Sequence, residues 1–154
     1  MFESLWIEKY RPSKLDQLVL SDNNRQILKK YQKTGEIPNL LFIGPAGIGK
    51  TSLARVICND VLGCQYLYIN ASDERGIDTI RDKVQGFASS ASFKPIKIVI
   101  LDEADSMTID AQSALRRIIE DHVKTIRFCI ICNYISKIID PISSRCAKFR
   151  SKIF

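Results

Sequence analysis

Short apolar runs recur along the chain, and polar or amphipathic stretches separate them. The clearest runs lie at residues 40–43, 66–69, 98–101 and 128–132, and a weaker one lies near 147–150. Unbroken apolar runs of this length are typical of strands that are buried on both faces of a parallel sheet. The pattern therefore predicts about five strands, separated by polar or amphipathic segments.

The stretches between the runs carry apolar residues three or four positions apart, which predicts helices. These helices are expected at about residues 22–33, 50–62, 77–87 and 109–121, with a short helical segment before residue 139. Ser21 and Thr108 stand at N-cap positions, and Gly35 and Gly63 stand where helices end. Strands that alternate with helices predict an α/β fold, a three-layer sandwich with a parallel sheet of about five strands.

Composition adds little to the prediction of the fold, but it narrows the classes of partner that the protein could bind. The 154 residues fit one domain, and a net charge of +6 with a pI near 9.1 favours an anionic partner, although a basic soluble protein without one would look the same. No apolar run approaches the roughly 20 residues of a membrane span, so no membrane is expected as a partner. The first residues lack the regions of a signal peptide, and five cysteines fit reduced thiols inside a cell.

The segment after the first run carries the main chemical signal. Residues 44–51 read G-P-A-G-I-G-K-T, which fits the phosphate-loop spacing G-x-x-x-x-G-K-[ST] between a predicted strand and a predicted helix. In such a loop the backbone N–H groups and the positive helix end surround phosphates, Lys50 reaches the β- and γ-phosphates, and Thr51 binds Mg²⁺. A glycine-rich turn with a chance Lys-Thr is the alternative. The predicted ATP-binding residues are Gly44, Pro45, Ala46, Gly47, Ile48, Gly49, Lys50, Thr51 and Ser52.

An acidic box, D-E-A-D at residues 102–105, follows the third run directly. Ligands in parallel α/β sheets bind outside the carboxyl ends of the strands. We expect Asp102 to hold the shell of a Mg²⁺ ion and Glu103 to orient or deprotonate the attacking water. Asp105 could instead cap the next helix. Together with the phosphate loop, the box predicts nucleotide hydrolysis.

Asn133 is the polar residue that ends the fourth run. If its strand lies between the strands that precede the phosphate loop and Asp102, its amide faces the γ-phosphate. Otherwise it is an ordinary asparagine turn, and the sequence leaves both readings open.

Six segments in a fixed order resemble the small subunits of replication factor C, the archaeal and eukaryotic sliding-clamp loaders of the AAA+ class. They are the phosphate loop, the acidic box, W-I-E-K-Y-R-P at 6–12, N-A-S-D-E-R-G-I at 70–77, A-Q-S-A-L-R-R at 111–117 and S-R-C at 144–146. The likeness covers essentially the whole chain. It implies an AAA+ ATPase domain of the P-loop NTPase class over residues 1–154, with an N-terminal arm at 1–20 and a nucleotide-binding core at 21–154.

The resemblance implies further roles around the nucleotide, with ATP and Mg²⁺ as cofactors. Tyr10, Arg11 and Pro12 would line the adenine side of the pocket. Asn133 would sense the γ-phosphate. Arg145 would be an arginine finger that points into the ATP site of a neighbouring subunit.

The resemblance also implies partners: the other subunits of a hetero-pentamer, a sliding clamp and primer–template DNA. Arg75, Arg81 and Lys137 would follow the DNA phosphate backbone, and Gln112 would couple the ATP and DNA sites. Residues 87–93 would lie toward the clamp. Such a protein is expected in the nucleus of a eukaryote or in the cytoplasm of an archaeon.

The chain departs from this family in length and in two details. Family members continue through a lid domain and a collar domain, which are absent from these 154 residues, so a fragment or a truncated product is expected. Leu20 stands where a glycine is common. Ala46 and Ile48 stand where the phosphate loop often has proline and threonine.

Three other classes of protein are alternatives to this one. A helicase of the Asp-Glu-Ala-Asp type would need a second motor domain and a Ser-Ala-Thr motif. Another AAA+ motor would share the phosphate loop but not the arm at 6–12 or the S-R-C segment in this form. Intact Lys50, Thr51, Asp102 and Glu103 argue against a non-catalytic interaction subunit.

Two local patterns have a simpler interpretation than the chemistry that they suggest. Cys129 and Cys132 have the spacing of a zinc or redox pair, but residues three apart on a strand face opposite sides, which favours core cysteines. Arg116 and Arg117 could form a DNA patch, although a solvated or intersubunit face is the more probable interpretation.

Overall fold

A computed structural model describes residues 21–45, 49–73, 76–92 and 94–150. Several predictions lie outside these residues, and they concern the adenine pocket, the middle of the phosphate loop and one DNA contact. They are Tyr10, Arg11, Pro12, Leu20, Ala46, Gly47, Ile48 and Arg75.

Helices and strands alternate along the described chain, as the apolar pattern predicts. The helices are α1 (Asp22–Thr34), α2 (Lys50–Val56), α3 (Ile77–Ser89), α4 (Ile109–Asp121) and the short α5 (Asp140–Ser143). The strands are β1 (Leu40–Ile43), β2 (Tyr66–Asn70), β3 (Lys97–Asp102), β4 (Ile126–Cys132) and β5 (Ala147–Arg150). Single 3₁₀ turns lie at Ala104–Ser106 and Ile135–Lys137.

Two helix ends differ from the sequence prediction. The helix expected to run from Lys50 to Leu62 changes after α2 into a π-helical turn at Ile57–Val61, where the Leu62 N–H donates to the Ile57 carbonyl five residues back (2.9 Å). Helix α3 continues two residues beyond its predicted end, into the serine-rich stretch. Within it the Ser89 hydroxyl donates to the Gln85 carbonyl one turn earlier (2.9 Å).

The predicted helix signals are confirmed at the ends where the caps are described. The Ser21 hydroxyl accepts from the Asn24 N–H (3.3 Å), and the Thr108 hydroxyl accepts from the Ala111 N–H (3.1 Å). Gly35 has a φ of 72°, and its N–H donates to the Tyr31 carbonyl at 2.8 Å. This left-handed conformation favours glycine and ends α1.

The described strands form one parallel sheet in the order β2-β3-β4-β1-β5. Strand β4 is thus inserted between β1 and β3, with Cys132 paired to Ile43 and Ile130 paired to Leu101. In a parallel sheet all carboxyl ends meet at one edge. The condition set for Asn133 is therefore met, because its strand lies between the phosphate-loop strand and the Asp102 strand.

Each face of the sheet carries its own hydrophobic core, so the predicted three-layer sandwich is confirmed. Helices α1 and α2 cover one face, where Leu28 and Leu53 pack with Phe42 and Ile100. Helices α3, α4 and α5 cover the other face, and their buried residues there are Ile80, Val84, Leu115, Ile118, Ile119 and Ile142. Full burial of one such side chain is worth about 1.5–3 kcal/mol. Among the described helices we find none that is both long and apolar enough to cross a membrane.

Cys129 and Cys132 point to opposite faces of β4, as their spacing predicts. Cys129 belongs to the core under α1 and α2, and Cys132 belongs to the core under α3 and α4. Burial raises the pKa of the Cys129 thiol well above its ordinary value, and burial next to Asp105 raises the pKa of Cys132 to about 12. Both residues are therefore protonated core thiols.

Strand β3 begins with a lysine that the apolar pattern did not include. Lys97 is 5% exposed, and its ammonium group donates to the Phe87 carbonyl (2.6 Å) and to the Ser90 hydroxyl (3.0 Å) and carbonyl. The same nitrogen lies 5.1 Å from the centroid of the Phe87 ring. These carbonyls are the orphan acceptors at the negative end of α3, so the buried cation caps that helix.

We predict that Lys97→Met destabilises the domain, because it removes the charge-assisted hydrogen bonds that the buried ammonium group donates to the end of α3. The free energy of unfolding should fall by about 1–3 kcal/mol. Urea unfolding followed by circular dichroism measures it. The matched control is Lys94→Met at an exposed position nearby, which should change stability by less than about 0.5 kcal/mol. Equal effects of the two variants would contradict the capping role.

Candidate nucleotide site

The phosphate loop joins the carboxyl end of β1 to the start of α2, as the motif requires. The Gly44 N–H still donates to the Cys132 carbonyl of β4 (3.2 Å), which ties the start of the loop to the centre of the sheet. Gly49 precedes α2 with a φ of 90°, a conformation that residues with a side chain rarely adopt. Ser52 lies in the first turn of α2, beside Thr51. The predicted strand–loop–helix context is therefore present.

Lys50 joins the loop to the end of β4. Its side chain is buried, with 7% exposure, and its ammonium group donates to the Gly44 carbonyl, the Pro45 carbonyl (2.8 Å) and Asn133 Oδ1 (3.0 Å). Burial lowers the pKa of Lys50, while the nearby Asp102 and Asp105 carboxylates act in the opposite direction. A cation is thus held at the carboxyl edge of the sheet, where three oxygen atoms surround it.

Asp102 receives donors from three different elements. Its Oδ2 accepts from the Thr51 hydroxyl (2.9 Å) and from the Tyr68 hydroxyl (2.7 Å), and its Oδ1 accepts from the Glu103 N–H (2.9 Å). The structure therefore brings together Thr51 and Asp102, the two residues predicted to hold Mg²⁺. A hydroxyl and a carboxylate are hard oxygen donors of the kind that Mg²⁺ prefers, so this donor set fits the ion.

The Tyr68 contact is one that the sequence did not indicate. Burial raises the pKa of the Tyr68 hydroxyl, and its hydrogen bond to Asp102 raises it further. The hydroxyl therefore stays protonated and acts as a donor. Tyr68 stands in the second apolar run and outside every segment that supported a function, so nothing in the sequence separated it from an ordinary strand residue.

Glu103 points away from Thr51. It is the one non-glycine residue with positive φ in the described ranges (φ 54°, ψ 42°), a strained backbone that turns the chain at the end of β3. Its carboxylate accepts from the Ser72 hydroxyl. Ser72 in turn donates its N–H to Asn70 Oδ1 (3.0 Å), and its hydroxyl oxygen lies 2.7 Å from the same amide oxygen. The adjacent carboxylates of Asp102 and Glu103 thus face different partners.

Asp105 does not cap the next helix, which was the alternative that the sequence left open. Its Oδ2 accepts the N–H groups of Asn133 (3.0 Å) and Tyr134 (3.2 Å), whereas Thr108 caps the next helix. Asp105 thereby fixes the backbone at the end of β4. With its Oδ1 bonded to Lys50, Asn133 lies against the phosphate loop, as the γ-phosphate reading requires.

Gln112 links α4 to the segment that follows β4. It is 1% exposed, and its amide nitrogen donates to the carbonyls of Met107 (3.2 Å) and Lys137 (2.8 Å). Its amide oxygen accepts from the Ile139 N–H (2.9 Å). Two of these bonds tie the end of the segment between Asn133 and Ile139 to the first turn of α4. The coupling role of Gln112 stays a prediction.

Two of the predicted DNA contacts are described, and both lie on the α3–α4 side of the sheet. Arg81 pairs with Asp78 one turn earlier on α3, and the Lys137 ammonium lies 5.1 Å from the centroid of the Tyr134 ring. A cavity of about 450 Å³ lies between the starts of α3 and α4, and a second of about 350 Å³ lies between the start of α4 and Lys137. Thr108 lines both cavities, so the start of α4 separates the two basic residues.

Arg145 lies at the opposite edge of the sheet from the phosphate loop. It precedes β5, whose first residue pairs with Leu40 at the amino end of β1. The Arg145 guanidinium forms an ion pair with Glu120 near the end of α4, and both side chains are nearly half exposed. The structure therefore does not bring Arg145 to the Lys50 site of its own chain.

Comparison with known families defines the class of this fold and site. Residues 40–153 match the profile of the "ATPase family associated with various cellular activities (AAA)". The chain therefore belongs to the AAA ATPase family.

Within that family, the expected resemblance to replication factor C is confirmed. The chain is 51% identical over 97% of its length to "Probable replication factor C subunit 5" of Dictyostelium discoideum. It is 48% identical to "Replication factor C subunit 2" of Saccharomyces cerevisiae and 53% identical to "Replication factor C small subunit" of Staphylothermus marinus, each over 96% of its length. It spans 46% to 47% of these relatives, about half of each.

Solved structures with lower sequence identity support the same fold. The RuvB Holliday junction branch migration motor of Thermotoga maritima superposes with a TM-score of 0.71 over 90% of this chain and 47% of that one. The two are 20% identical, so the likeness concerns the fold alone. The sequence identities near 50% distinguish the replication factor C group from another AAA+ motor, the alternative left by the sequence.

We predict that Lys50→Ala weakens nucleotide binding about tenfold to a hundredfold, because charge-assisted hydrogen bonds are worth about 1.5–3 kcal/mol. Titration of a fluorescent ATP analogue measures the dissociation constant. Lys30→Ala, at an exposed position of α1, is the matched control for loss of a lysine charge. Unchanged affinity in a folded Lys50→Ala protein would rule out the phosphate-loop assignment.

Proposed function

We propose that this chain is an ATP-binding and ATP-hydrolysing subunit of a DNA sliding-clamp loader. The observation that carries the proposal is the convergence of two long-range contacts at the carboxyl edge of β1, β3 and β4. Lys50 donates to Asn133, and Thr51 donates to Asp102. These contacts join the predicted phosphate-binding loop to an amide and to a carboxylate, and polar groups of these kinds serve phosphoryl transfer. The relatives named replication factor C support the clamp-loader context.

In this proposal Lys50 and Asn133 bind the terminal phosphates. The Lys50 ammonium exchanges its bonds to the Gly44 and Pro45 carbonyls for bonds to phosphate oxygens, and Asn133 donates its amide N–H to the γ-phosphate. Thr51 and Asp102 would hold Mg²⁺, which when bound neutralises charge on the phosphates. Asp105 keeps Asn133 in place through its two backbone hydrogen bonds.

Glu103 is the residue that we assign to the attacking water. Its carboxylate contacts Ser72 here, so it has to exchange that hydroxyl for a water molecule before it can orient the nucleophile or accept its proton. This exchange separates nucleotide binding, which uses Lys50 and Thr51, from hydrolysis, which uses Glu103.

Arg145 completes the site of a neighbouring subunit in this proposal. Its position at the amino edge of the sheet supports a role outside its own site. Its ion pair with Glu120 is solvent-exposed, and such pairs contribute only about 0–1 kcal/mol. The guanidinium can therefore be released at low cost when a neighbour presents a phosphoryl group.

The remaining parts of the proposal concern assembly and DNA. Arg81, Lys137 and Arg75 would contact the phosphate backbone of primer–template DNA, and Gln112 would transmit that contact through α4 to Asn133. Residues 87–93 would face the sliding clamp. The assembly would be a hetero-pentamer that works in the nucleus of a eukaryote or in the cytoplasm of an archaeon.

The decisive test of the proposed function mixes two inactive variants of the full-length protein. Lys50→Ala removes phosphate binding at its own site, and Arg145→Ala removes the finger offered to the neighbour, a loss typically worth about 10³–10⁵ in rate. Each variant alone should hydrolyse ATP very slowly. In the mixture, an interface that joins an intact Arg145 to an intact Lys50 should regain ATPase activity.

Native mass measurement controls for assembly in that experiment, and Lys30→Ala, at an exposed position of α1, controls for loss of a surface charge. A mixture that assembles but stays silent would show that Arg145 does not act in trans. A parent protein that binds ATP and never hydrolyses it would instead support an interaction subunit.

We predict that DNA binding in the presence of ATP depends on salt through backbone contacts. Arg81→Ala and Lys137→Ala should each reduce the slope of log affinity against log salt by about one unit, regardless of DNA sequence. Fluorescence anisotropy over a salt series measures the slope. Lys30→Ala, on the α1 side of the sheet, should leave it unchanged. A loss that depends on base sequence would contradict the backbone model.

A further inference from the structure

We infer that Tyr68 is a positioning residue for Asp102: its hydroxyl fixes the carboxylate that serves Mg²⁺, and Arg55 holds its ring in place. The inference rests on the proposed nucleotide site and names two residues of that site to which neither the motifs nor the comparisons give a role. Tyr68 lies on β2, Arg55 on α2 and Asp102 on β3, so three separate elements converge.

The geometry of the hydroxyl is the first argument. Tyr68 pairs with Ile100 on β3, and Asp102 pairs with Asn70, so the two side chains stand on the same face of the sheet, two residues apart along the strands. The tyrosine is long enough to cover that offset, and its oxygen lies 2.7 Å from Asp102 Oδ2. Hydroxyl-to-carboxylate bonds of this length belong to the strong, charge-assisted class.

The number of donors on the carboxylate is the second argument. Asp102 Oδ1 accepts from the Glu103 backbone, and Oδ2 accepts from Thr51 and Tyr68. Thr51 is itself assigned to the metal, and Glu103 is assigned to hydrolysis and has a strained backbone. Tyr68 is therefore the donor that orients the carboxylate without taking part in binding or hydrolysis. Such outer partners usually set the affinity of a metal site.

Arg55 supplies the third argument. It stands one helical turn after Thr51 on the same face of α2, and its guanidinium carbon lies 5.2 Å from the centroid of the Tyr68 ring. Its Nε is buried and has no hydrogen-bond partner among the described residues. The face of the aromatic ring is thus the contact beside the buried Nε of this half-buried cation, and the stacking fixes the direction of the hydroxyl.

The test is Tyr68→Phe, which keeps the ring and its contact with Arg55 and removes only the hydroxyl. A fluorescent ATP analogue is titrated in EDTA and over a series of Mg²⁺ concentrations. The half-saturating Mg²⁺ concentration should rise about tenfold or more, as for other lost outer-shell partners, while affinity in EDTA stays at the parent value. Arg55→Met should shift the Mg²⁺ dependence in the same direction.

Tyr66→Phe is the matched control. Tyr66 lies two residues earlier on the same strand and the same face, where it pairs with Ile98. The substitution therefore removes the same hydroxyl oxygen at a position farther from Asp102. Its Mg²⁺ dependence should equal that of the parent.

The outcomes separate this inference from the proposed function. A parent chain that binds no nucleotide would overturn both. A parent that binds with Mg²⁺, and a Tyr68→Phe variant with the same Mg²⁺ dependence or a stronger Mg²⁺ affinity, would overturn the role of Tyr68 and leave the function standing. Equal losses in EDTA and in Mg²⁺ would make Tyr68 a structural residue and would also overturn the inference. An unaltered Mg²⁺ dependence in Arg55→Met would show that Arg55 is not needed to hold the Tyr68 ring in place.

Discussion

The pairing of β4 between β1 and β3 is the constraint on which the rest of the site depends. Because the strands are parallel, their carboxyl ends share one edge, and the inserted strand puts Asn133 between the phosphate loop and Asp102. The bonds from Lys50 to Asn133 and from Thr51 to Asp102 close loops of 83 and 51 residues. The bond from Lys50 to Asn133 requires that β4 lie beside β1.

Burial on both faces gives the sheet its rigidity and confines chemistry to its ends. The inner positions of β3 are all apolar, and its polar residues lie where the strand begins and ends, with Lys97 at the amino end and Asp102 at the carboxyl end. Each end has a separate task. The Lys97 cation closes α3, and the Asp102 carboxylate meets the start of α2. A substitution in the middle of β3 would act on stability, whereas one at its carboxyl end would act on the nucleotide site.

This division explains what the sequence could predict and what it could not. Strands, caps and the phosphate loop depend on local patterns, so the cap residues Ser21 and Thr108 and the pairing of Thr51 with Asp102 followed from spacing and motif. The contacts of Tyr68 and Asp105 depend on which strand lies beside which, and no local pattern reports that. The π-helical turn at Ile57–Val61 was missed for a different reason, since its apolar spacing continues the pattern of α2 and does not distinguish a π turn from an α turn.

The same sheet geometry limits which ATP site Arg145, the proposed arginine finger, can reach. Arg145 lies beside the first residue of β1, and the phosphate loop starts after the last, so the four residues of the strand separate them. Four residues of parallel strand span about 13 Å, more than an arginine side chain can cross. Moving Arg145 to its own site would break the pairing of β5 with β1 and expose the core around Phe149. An arginine at this position can therefore serve an ATP site only when another subunit supplies that site.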